Sequence, residues 1–268
     1  MITLTKLPYW EESAMELNIN GKVALVTGAS RGIGRAIAEK LAQEGVHLCL
    51  VGRNEEALLE VAEGIRFSGG RAECFVYDIT DISNVEKLVA ECAKRNLIPD
   101  ILINNLGGVN GSKDWDSYEL VEQVFRLNFL TAYELVRQLS PYFEKMGWGR
   151  IVNIGSVSTK SGLNGIPYVI SKSALEAFTV FAARGFAQRN PNVVMTMVSP
   201  GPTAIEGKYL GNLEKTNPNA LQEWLAQNNV SAGRLGRTEE IANLVLFLIS
   251  DLASYMHGSI VSIDGGSY

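Results

Sequence analysis

Apolar runs and helical stretches alternate along this chain almost from end to end, and that alternation limits the folds open to it more than any other feature. The strand-like runs are KVALVTG (22–28), HLCLVG (47–52), AECFVYD (72–78), DILINN (100–105), RIVNIGS (150–156), VVMTMVS (193–199) and SIVSID (259–264). Between them, apolar residues recur at helical spacing over 33–45, 55–70, 82–95, 117–145, 167–189 and 239–250. Gly45 stands where helices often end, and Asn54 where one can be capped. Runs that are apolar throughout belong to strands buried on both faces. Joined in turn by helices, they make right-handed crossovers between parallel strands. The expectation is α/β: a single doubly wound (Rossmann-type) parallel sheet with helices on both faces, binding its ligand at the carboxyl ends of the strands.

No internal repeat or low-complexity linker divides the 268 residues, and single α/β domains reach this size. Residues 17–268 are therefore read as one domain. Residues 1–16 are read as an N-terminal extension with no catalytic role. Glu11 and Glu12 interrupt that segment, and no basic region precedes an apolar stretch, which argues against a secretory signal. No apolar run approaches the roughly 20 residues that a membrane helix needs. A net charge of −5 argues against nucleic acid as a partner, since phosphate binding wants a basic face. Cys49, Cys74 and Cys92 match no zinc or CxxC spacing and suit a reducing cytoplasm. His47 and His257 belong to no HExxH-like motif, so no metal is expected.

TGASRGIG (27–34) joins the first strand to the first helix and places Gly28, Gly32 and Gly34 in the pattern GxxxGxG. Glycine lets the backbone turn sharply and approach a pyrophosphate closely. The helix N-terminus beyond it offers free N–H groups and partial positive charge. A tight turn needing glycines only for packing is the plainer alternative; the strand before and the helix after favour a nucleotide. The loop does not end in Gly-Lys-Ser/Thr, so it is not a Walker A loop.

In YVISK, Tyr168 and Lys172 stand four residues apart, on one face of a helix. Alone, that spacing reads first as an ordinary surface pair, like Tyr133 and Arg137, rather than as a phenol activated by an ammonium group.

Together with other segments in a fixed order, these motifs resemble the short-chain dehydrogenase/reductase family in its classical branch. The resemblance runs from about Leu17 to the end. TGASRGIG is similar to the family's TGxxxGxG, NNLGG (104–108) to its NNAG with Leu106 in place of alanine, YVISK to its YxxxK, and SPGPT (199–203) to its PG segment. The closing stretch GRLGRTEEIANLVLFLISDLASYMHGSIVSIDGG resembles 3-oxoacyl-carrier-protein reductases and their relatives. The resemblance implies a catalytic tetrad of Asn128, Ser156, Tyr168 and Lys172. It implies cofactor contacts from Gly28, Ser30, Arg31, Gly32, Ile33 and Gly34 in the first turn, and from Arg53 after the second strand. Asp78 and Ile79 follow the third strand, Asn105 and Gly107 the fourth, and Pro200, Gly201 and Thr203 the sixth; Tyr168 and Lys172 are shared with the tetrad. The distance from Ser156 to Tyr168 is one residue shorter than the family pattern. Ser158 is therefore an alternative reactive serine, with Ser156 preferred because it stands directly at the strand end.

The implied chemistry is hydride transfer between a nicotinamide cofactor and a carbonyl or secondary alcohol. A free tyrosine has a pKa near 10; a neighbouring lysine cation is expected to lower it, making Tyr168 a general acid in reduction or a base in oxidation. Ser156 is expected to donate to the carbonyl oxygen. By resemblance, Lys172 also holds the nicotinamide ribose, and Asn128 supports a proton-relaying water.

After the second strand the chain reads VGRNEE. Gly52 stands where NAD-binding relatives carry an acid, Arg53 follows, and Arg31 lies in the glycine turn. Two guanidinium groups suit a 2′-phosphate, so NADP(H) is favoured over NAD(H). The alternative is Arg53 in solvent and Glu55 or Glu56 on the ribose hydroxyl. The segment 203–233 is expected to form the lid over the substrate, with Tyr209, Leu210, Leu213 and Trp224 as apolar points and 110–118 as the opposite rim. The expected function is reduction of a 3-oxoacyl-type ketone. Alternatives are an alcohol, sugar or steroid dehydrogenase running oxidatively, or a non-catalytic dinucleotide-binding protein. By resemblance the protein is a homotetramer, assembled through the helices at 117–145 and 167–189, where FTVFAARGFA (178–187) offers small and aromatic residues, and through the C-terminal helix and strand.

Overall fold

A computed structural model describes residues 16–108 and 117–267. Its elements are β1 (Val23–Thr27), α1 (Gly32–Gln43), β2 (His47–Gly52), α2 (Glu55–Phe67), β3 (Arg71–Val76), α3 (Ser83–Lys94), β4 (Ile101–Asn104), α4 (Tyr118–Phe125), α5 (Thr131–Met146), β5 (Gly149–Ile154), α6 (Ser158–Ser161), α7 (Ile166–Arg189), β6 (Val193–Pro200), α8 (Tyr209–Thr216), α9 (Pro218–Gln227), α10 (Thr238–Ile249) and β7 (Ile260–Ile263). Except for Glu16, the N-terminal extension lies outside the described residues, as does most of the rim at 110–118.

Among the described residues the strands form one sheet in the order β3-β2-β1-β4-β5-β6-β7, every pair parallel. Side chains on a strand alternate between faces, and each run divides its apolar residues between two cores accordingly. Ala24, Val26, Leu48, Leu50, Ile101 and Ile103 pack on one face against α1, α2 and α10. Leu25, Cys49, Val51, Leu102 and Ile151 pack on the other against α3, α5 and α7. Of the cysteines, Cys49 and Cys92 are buried, Cys74 is part-buried, and all three are free. The strand order reverses between β1 and β4, which opens a crevice at the carboxyl ends. The glycine turn leaves β1 and NNLGG leaves β4 at that place.

The amino end of the sheet is tied by charge. Arg150, at the start of β5, is 2% exposed. It donates to Asp251 at 2.8 Å and to the Asn192 carbonyl at 2.7 Å, and its guanidinium lies 4.4 Å from the centre of the Trp148 ring. Lys22 covers Trp148 at 4.2 Å and pairs with Asp100 at 3.4 Å.

Two stretches differ from the sequence expectation. The single helix expected over 117–145 is two helices joined by a π-helical turn, Arg126–Leu130. The lid segment contains α8 and α9, whose Leu210, Leu213, Leu221, Trp224 and Leu225 share a small core with Val230 and Leu235. The expected apolar points Leu210, Leu213 and Trp224 thus hold the lid together, while Tyr209 is exposed. Among the described residues no helix is long and apolar enough to cross a membrane.

Candidate active site

Thr27 ends β1, and its hydroxyl oxygen accepts the N–H groups of Asn105 and Leu106, both at 2.9 Å, while donating to the Ile103 carbonyl at 3.2 Å. Asn105 Nδ2 donates back to the carbonyls of Thr27 at 2.9 Å and Gly28 at 3.2 Å. The ends of β1 and β4 are thereby laced together at the switch point. Gly28 takes a left-handed φ of +63°. A Cβ on Gly34 would fall 2.3 Å from the Gly28 carbonyl oxygen and 2.5 Å from Asn105 Nδ2, so no larger residue fits there. Arg31 is the N-cap of α1 in an extended conformation; its side chain makes no cap, and the first turn carries no acid. The helix N-terminus is thus available to an anion. Ser30 and Ile33 are part-buried beside it, and Arg31 is exposed. Ile205, from the lid, lies 3.1 Å from where a Cβ on Gly32 would stand.

Arg53, beyond β2, pairs with Asp78 at 3.5 Å across an open surface. Burial works to raise the Asp78 carboxyl, but hydrogen bonds from the Thr80 hydroxyl and backbone, aided by Arg53, hold it below the usual carboxylate range. Glu55 and Glu56 occupy the first turn of α2, where negative charge is favourable. Ile79 is buried in the core, which leaves its main chain for any contact. Gly201 lies under β7: a Cβ there would stand 2.6 Å from Asp264 Cα. The Pro200 carbonyl accepts the Val157 N–H at 3.1 Å, and the Thr203 hydroxyl donates to the Gly201 carbonyl at 2.9 Å.

Asn128 sits at the centre of the π-helical turn. Its Nδ2 donates to the carbonyls of Gly108 and Val124, and its Oδ1 accepts the Gly108 N–H, all at 2.9 Å. A π-turn widens the helix by one residue, and such bulges cluster at functional sites; here it presents the amide to the loop after β4. A Cβ on Gly107 would lie 2.7 Å from Asn128 Oδ1 and 3.0 Å from Lys172 Nζ, so glycine lets all three groups meet. Lys172 is 3% exposed and donates to the Ile154 carbonyl at 2.7 Å. Its ammonium lies 6.0 Å from the centre of the Tyr168 ring. The Ser156 hydroxyl lies near enough to the Tyr168 phenol to favour its ionised form. Ser158 does not compete for that place: it begins α6, donates its N–H to Ser156 Oγ at 3.1 Å, and has its own hydroxyl 3.0 Å from Ser156 Oγ.

The electrostatics depart from the sequence expectation. Burial pushes the Tyr168 phenol up rather than down, with only the nearby Ser156 hydroxyl opposing it. Burial also lowers Lys172 to about 8. Desolvation disfavours the charged form of both groups, so the lysine that was to lower the phenol's pKa has its own cation destabilised. Sequence reasoning missed the Ile154 carbonyl, the Thr27 hydroxyl and Asn164, whose Nδ2 donates to Ser158 Oγ at 2.8 Å. Of these, only Thr27 lay inside a recognised motif.

Residues 22–212 match the family model described as short chain dehydrogenase. The chain is similar to a 3-oxoacyl-[acyl-carrier-protein] reductase FabG of Aquifex aeolicus (strain VF5), at 36% identity over 95% of this chain and 100% of that one. It is also similar to the 7alpha-hydroxysteroid dehydrogenase of Clostridium sardiniense, at 34% identity over 92% of this chain and 94% of that one. Its fold is similar to the crystal structure of a 3-oxoacyl (acyl-carrier-protein) reductase from Agrobacterium tumefaciens C58 with NADP bound. That comparison has a TM-score of 0.86 and 28% identity, covering 96% of this chain and 99% of that one.

Proposed function

The chain belongs to the short-chain dehydrogenase family of oxidoreductases, and we propose that within it this protein is an NADP(H)-dependent reductase of 3-oxoacyl-type ketones. The observation that carries this reading is the gathering of Ser156, just beyond β5, with buried Lys172, which bonds the Ile154 carbonyl at the end of that strand and crowds Gly107 together with Asn128, at the strand ends that also bear the glycine cradle. The cradle around Gly28 and Gly34 and the uncapped start of α1 fit a dinucleotide pyrophosphate. Arg53 and Arg31 would hold the 2′-phosphate, and Asp78 the adenine end. When bound, the cofactor supplies the hydride.

The protein's part is to hold the ketone and deliver a proton. Ser156 donates to the carbonyl oxygen and fixes it against Tyr168. As negative charge develops on that oxygen, Tyr168 gives up its phenolic proton. The Lys172 cation stabilises the phenolate that results, and it is present chiefly below about pH 8. Asn128 keeps the loop after β4 against Lys172 through its two bonds to Gly108, and this placement supports a role in returning the proton through water. The similarity to a FabG supports the 3-oxoacyl substrate and that to an NADP-bound structure supports the cofactor. The same residues serve alcohol oxidation when Tyr168 starts as the base; the similarity to a hydroxysteroid dehydrogenase favours this second reading. Exposed Tyr133 and Phe181, on α5 and α7, support burial of these helices in a homotetramer.

A panel of 3-oxoacyl thioesters, sugars and steroid ketones, read by NADPH consumption, tests the assignment. Tyr168→Phe removes the transferable proton and is expected to cut turnover by about 10²–10⁴-fold while cofactor binding persists. Near-normal turnover in that variant would refute the mechanism, and preference for a sugar or steroid would replace the substrate.

A further inference from the structure

We propose that Asn153 and Thr179 are positioning residues for the reaction: the buried hydrogen-bond chain Asn104–Asn153–Thr179 fixes the register of α7 against β4 and β5 and so sets the place of the Lys172 ammonium. The proposal rests on the reading of Lys172 as the cation that stabilises the Tyr168 phenolate.

Three polar side chains interrupt the apolar core between the sheet and α7. Asn104 ends β4 and stands opposite Asn153 on β5. Asn104 Nδ2 donates to Asn153 Oδ1 at 2.8 Å, and Asn153 Nδ2 donates to Thr179 Oγ1 at 2.8 Å. The Thr179 hydroxyl gives its own proton to the Leu175 carbonyl at 2.7 Å. Every link therefore runs one way, from β4 through β5 into α7. Asn153 and Thr179 are fully buried, and Asn104 nearly so. Their neighbours on the same faces are apolar: Leu102 and Ile151 two residues earlier on the strands, Leu175 and Ala183 one turn to either side on the helix. A buried amide costs free energy unless its bonds are made, and apolar side chains fill such a core without that demand. What the chain adds is direction. Apolar contact is non-directional and lets a helix slide over a sheet, whereas a short hydrogen bond does not. A polar residue buried in an apolar seam fixes register in this way, at some cost in stability.

The three elements tied by the chain are the three that meet at Lys172. Lys172 and Thr179 stand seven residues apart on the buried face of α7, two turns along the helix. Lys172 Nζ donates at 2.7 Å to the carbonyl of Ile154, the residue after Asn153. Gly107 lies three residues beyond Asn104, and a Cβ on it would stand 3.0 Å from Lys172 Nζ. A lysine stem has four flexible carbons and cannot set the register of the helix that carries it. Thr179 is short and stiff at χ1, and its hydroxyl is held by the helix backbone. Its bond to Asn153 fixes the backbone from which the lysine reaches. The groups facing that lysine are the Tyr168 ring on its own helix, with its centre at 6.0 Å, the Ile154 carbonyl from β5, and the neutral Asn128 amide beside Gly107.

Thr179→Val keeps the shape and removes the hydroxyl, which leaves Asn153 Nδ2 without its acceptor. Thr179→Ser keeps the hydroxyl. Phe186→Leu, further along α7 in the apolar core, weakens packing without touching the chain. Turnover of a 3-oxoacyl thioester with NADPH is measured across pH for wild type and these variants, and urea unfolding gives the folded fraction. Misplacement by about 1 Å can cost on the order of 100-fold, so kcat is expected to fall about 10- to 100-fold in Thr179→Val. The KM for the ketone is expected to change little, because Lys172 acts only as charge develops in the transition state. Thr179→Ser and Phe186→Leu are expected to keep most of the wild-type kcat per folded molecule. Loosened from the Ile154 carbonyl but still buried, the ammonium loses a partner that favours its charge. The loss in Thr179→Val is therefore expected to grow as pH rises toward about 8. A loss that is the same at every pH, an equal loss in Phe186→Leu, or Thr179→Ser as poor as Thr179→Val overturns the proposal. Should Thr179→Val not fold, Thr179→Ser and Thr179→Ala differ by the hydroxyl alone and give the same comparison. If Thr179→Val matches wild type while Lys172→Met is inactive, the positioning fails and the reading of Lys172 stands; if Lys172→Met is fully active, that reading fails first. NMR titration of isotope-labelled lysines, with Lys172 assigned by its absence in Lys172→Met, gives an answer without substrate: Thr179→Val is expected to lower the Lys172 pKa, and an unchanged value overturns the proposal.

Discussion

Strand β5 lies between two buried cations that are treated very differently. At its start, Arg150 has a carboxylate at 2.8 Å, backbone carbonyls at 2.7 and 3.0 Å and an indole face against it. At its end, Lys172 is as deeply buried yet has, among the described residues, one hydrogen bond, to the Ile154 carbonyl. Burial lowers the pKa of both, but at Arg150 the Asp251 charge opposes it, while at Lys172 nothing comparable does. A buried charge that is fully partnered serves the fold; one left short of partners marks a place where the protein keeps a strained group for use.

Breaking the satisfied end should have the larger effect on stability. Arg150→Met removes the charge that faces Asp251 and the donors to the Asn192 and Gly149 carbonyls. Splitting a buried pair costs about 3–5 kcal/mol; Asp251 is 43% exposed and can hydrate, so roughly 2–4 kcal/mol is expected. Urea unfolding measures the loss. Turnover per folded molecule should be unchanged, and a drop in turnover without lost stability would contradict the division between the two ends.

The same contrast explains what the sequence made legible. The sheet followed from apolar runs, because burial on both faces leaves a pattern that needs no knowledge of partners. The glycine turn was legible because Gly28 and Gly34 are demanded by backbone geometry, one by a positive φ and the other by a 2.3 Å approach. The π-turn at Asn128 was not, since helical periodicity over 117–145 hardly changes when one residue is added to a turn. The lid helices were missed because their apolar residues face a small private core rather than the sheet. Charge states were least legible: YVISK put Tyr168 and Lys172 on one face, but the burial that raises one pKa and lowers the other depends on elements distant in sequence, the Ile154 end of β5 and Gly107 after β4 among those that meet Lys172. Asn164 gave no signal beyond a turn.

Relieving the strained end should stabilise the protein. Lys172→Met removes a buried cation whose penalty is on the order of 3 kcal/mol at pH 7. It also strands the Ile154 carbonyl, at a cost of about 1–2 kcal/mol. A net gain of roughly 1–2 kcal/mol is expected, with turnover lost. The sign can be checked by pH. Below about pH 8 the lysine is protonated in both folded and unfolded chains, and the penalty is full. Between there and the free-lysine value of about 10.4 only the unfolded chain keeps its proton, so wild-type stability carries a term that rises with pH. That term should vanish in Lys172→Met, and equal slopes in the two proteins over this window would remove the case for a penalised cation.

A third cation, Arg53, extends the comparison into open solvent. It is 72% exposed, and its 3.5 Å pairing with Asp78 joins two hydrated groups. Such pairs are worth about 0–1 kcal/mol, too little to hold the guanidinium against a competing phosphate. Arg53→Ala should therefore leave stability almost unchanged and act on cofactor choice. A charged hydrogen bond is worth about 1.5–3 kcal/mol; with Arg31 compensating in part, NADPH binding should weaken about tenfold and NADH binding should not. Adding Gly52→Asp should carry the change further. The nearest atoms to a Cβ on Gly52 would be those of the Leu58 side chain at 3.4–3.5 Å, an ordinary contact, so a carboxylate can enter without strain. Placed there, it repels the 2′-phosphate and accepts from a ribose 2′-hydroxyl. Fluorescence titration of both cofactors against wild type, Arg53→Ala and the double variant reads the effect without turnover. Equal weakening of both cofactors in Arg53→Ala would mean that Arg53 acts through Asp78 on the adenine end, and equal wild-type affinities would leave the 2′-phosphate clamp without support.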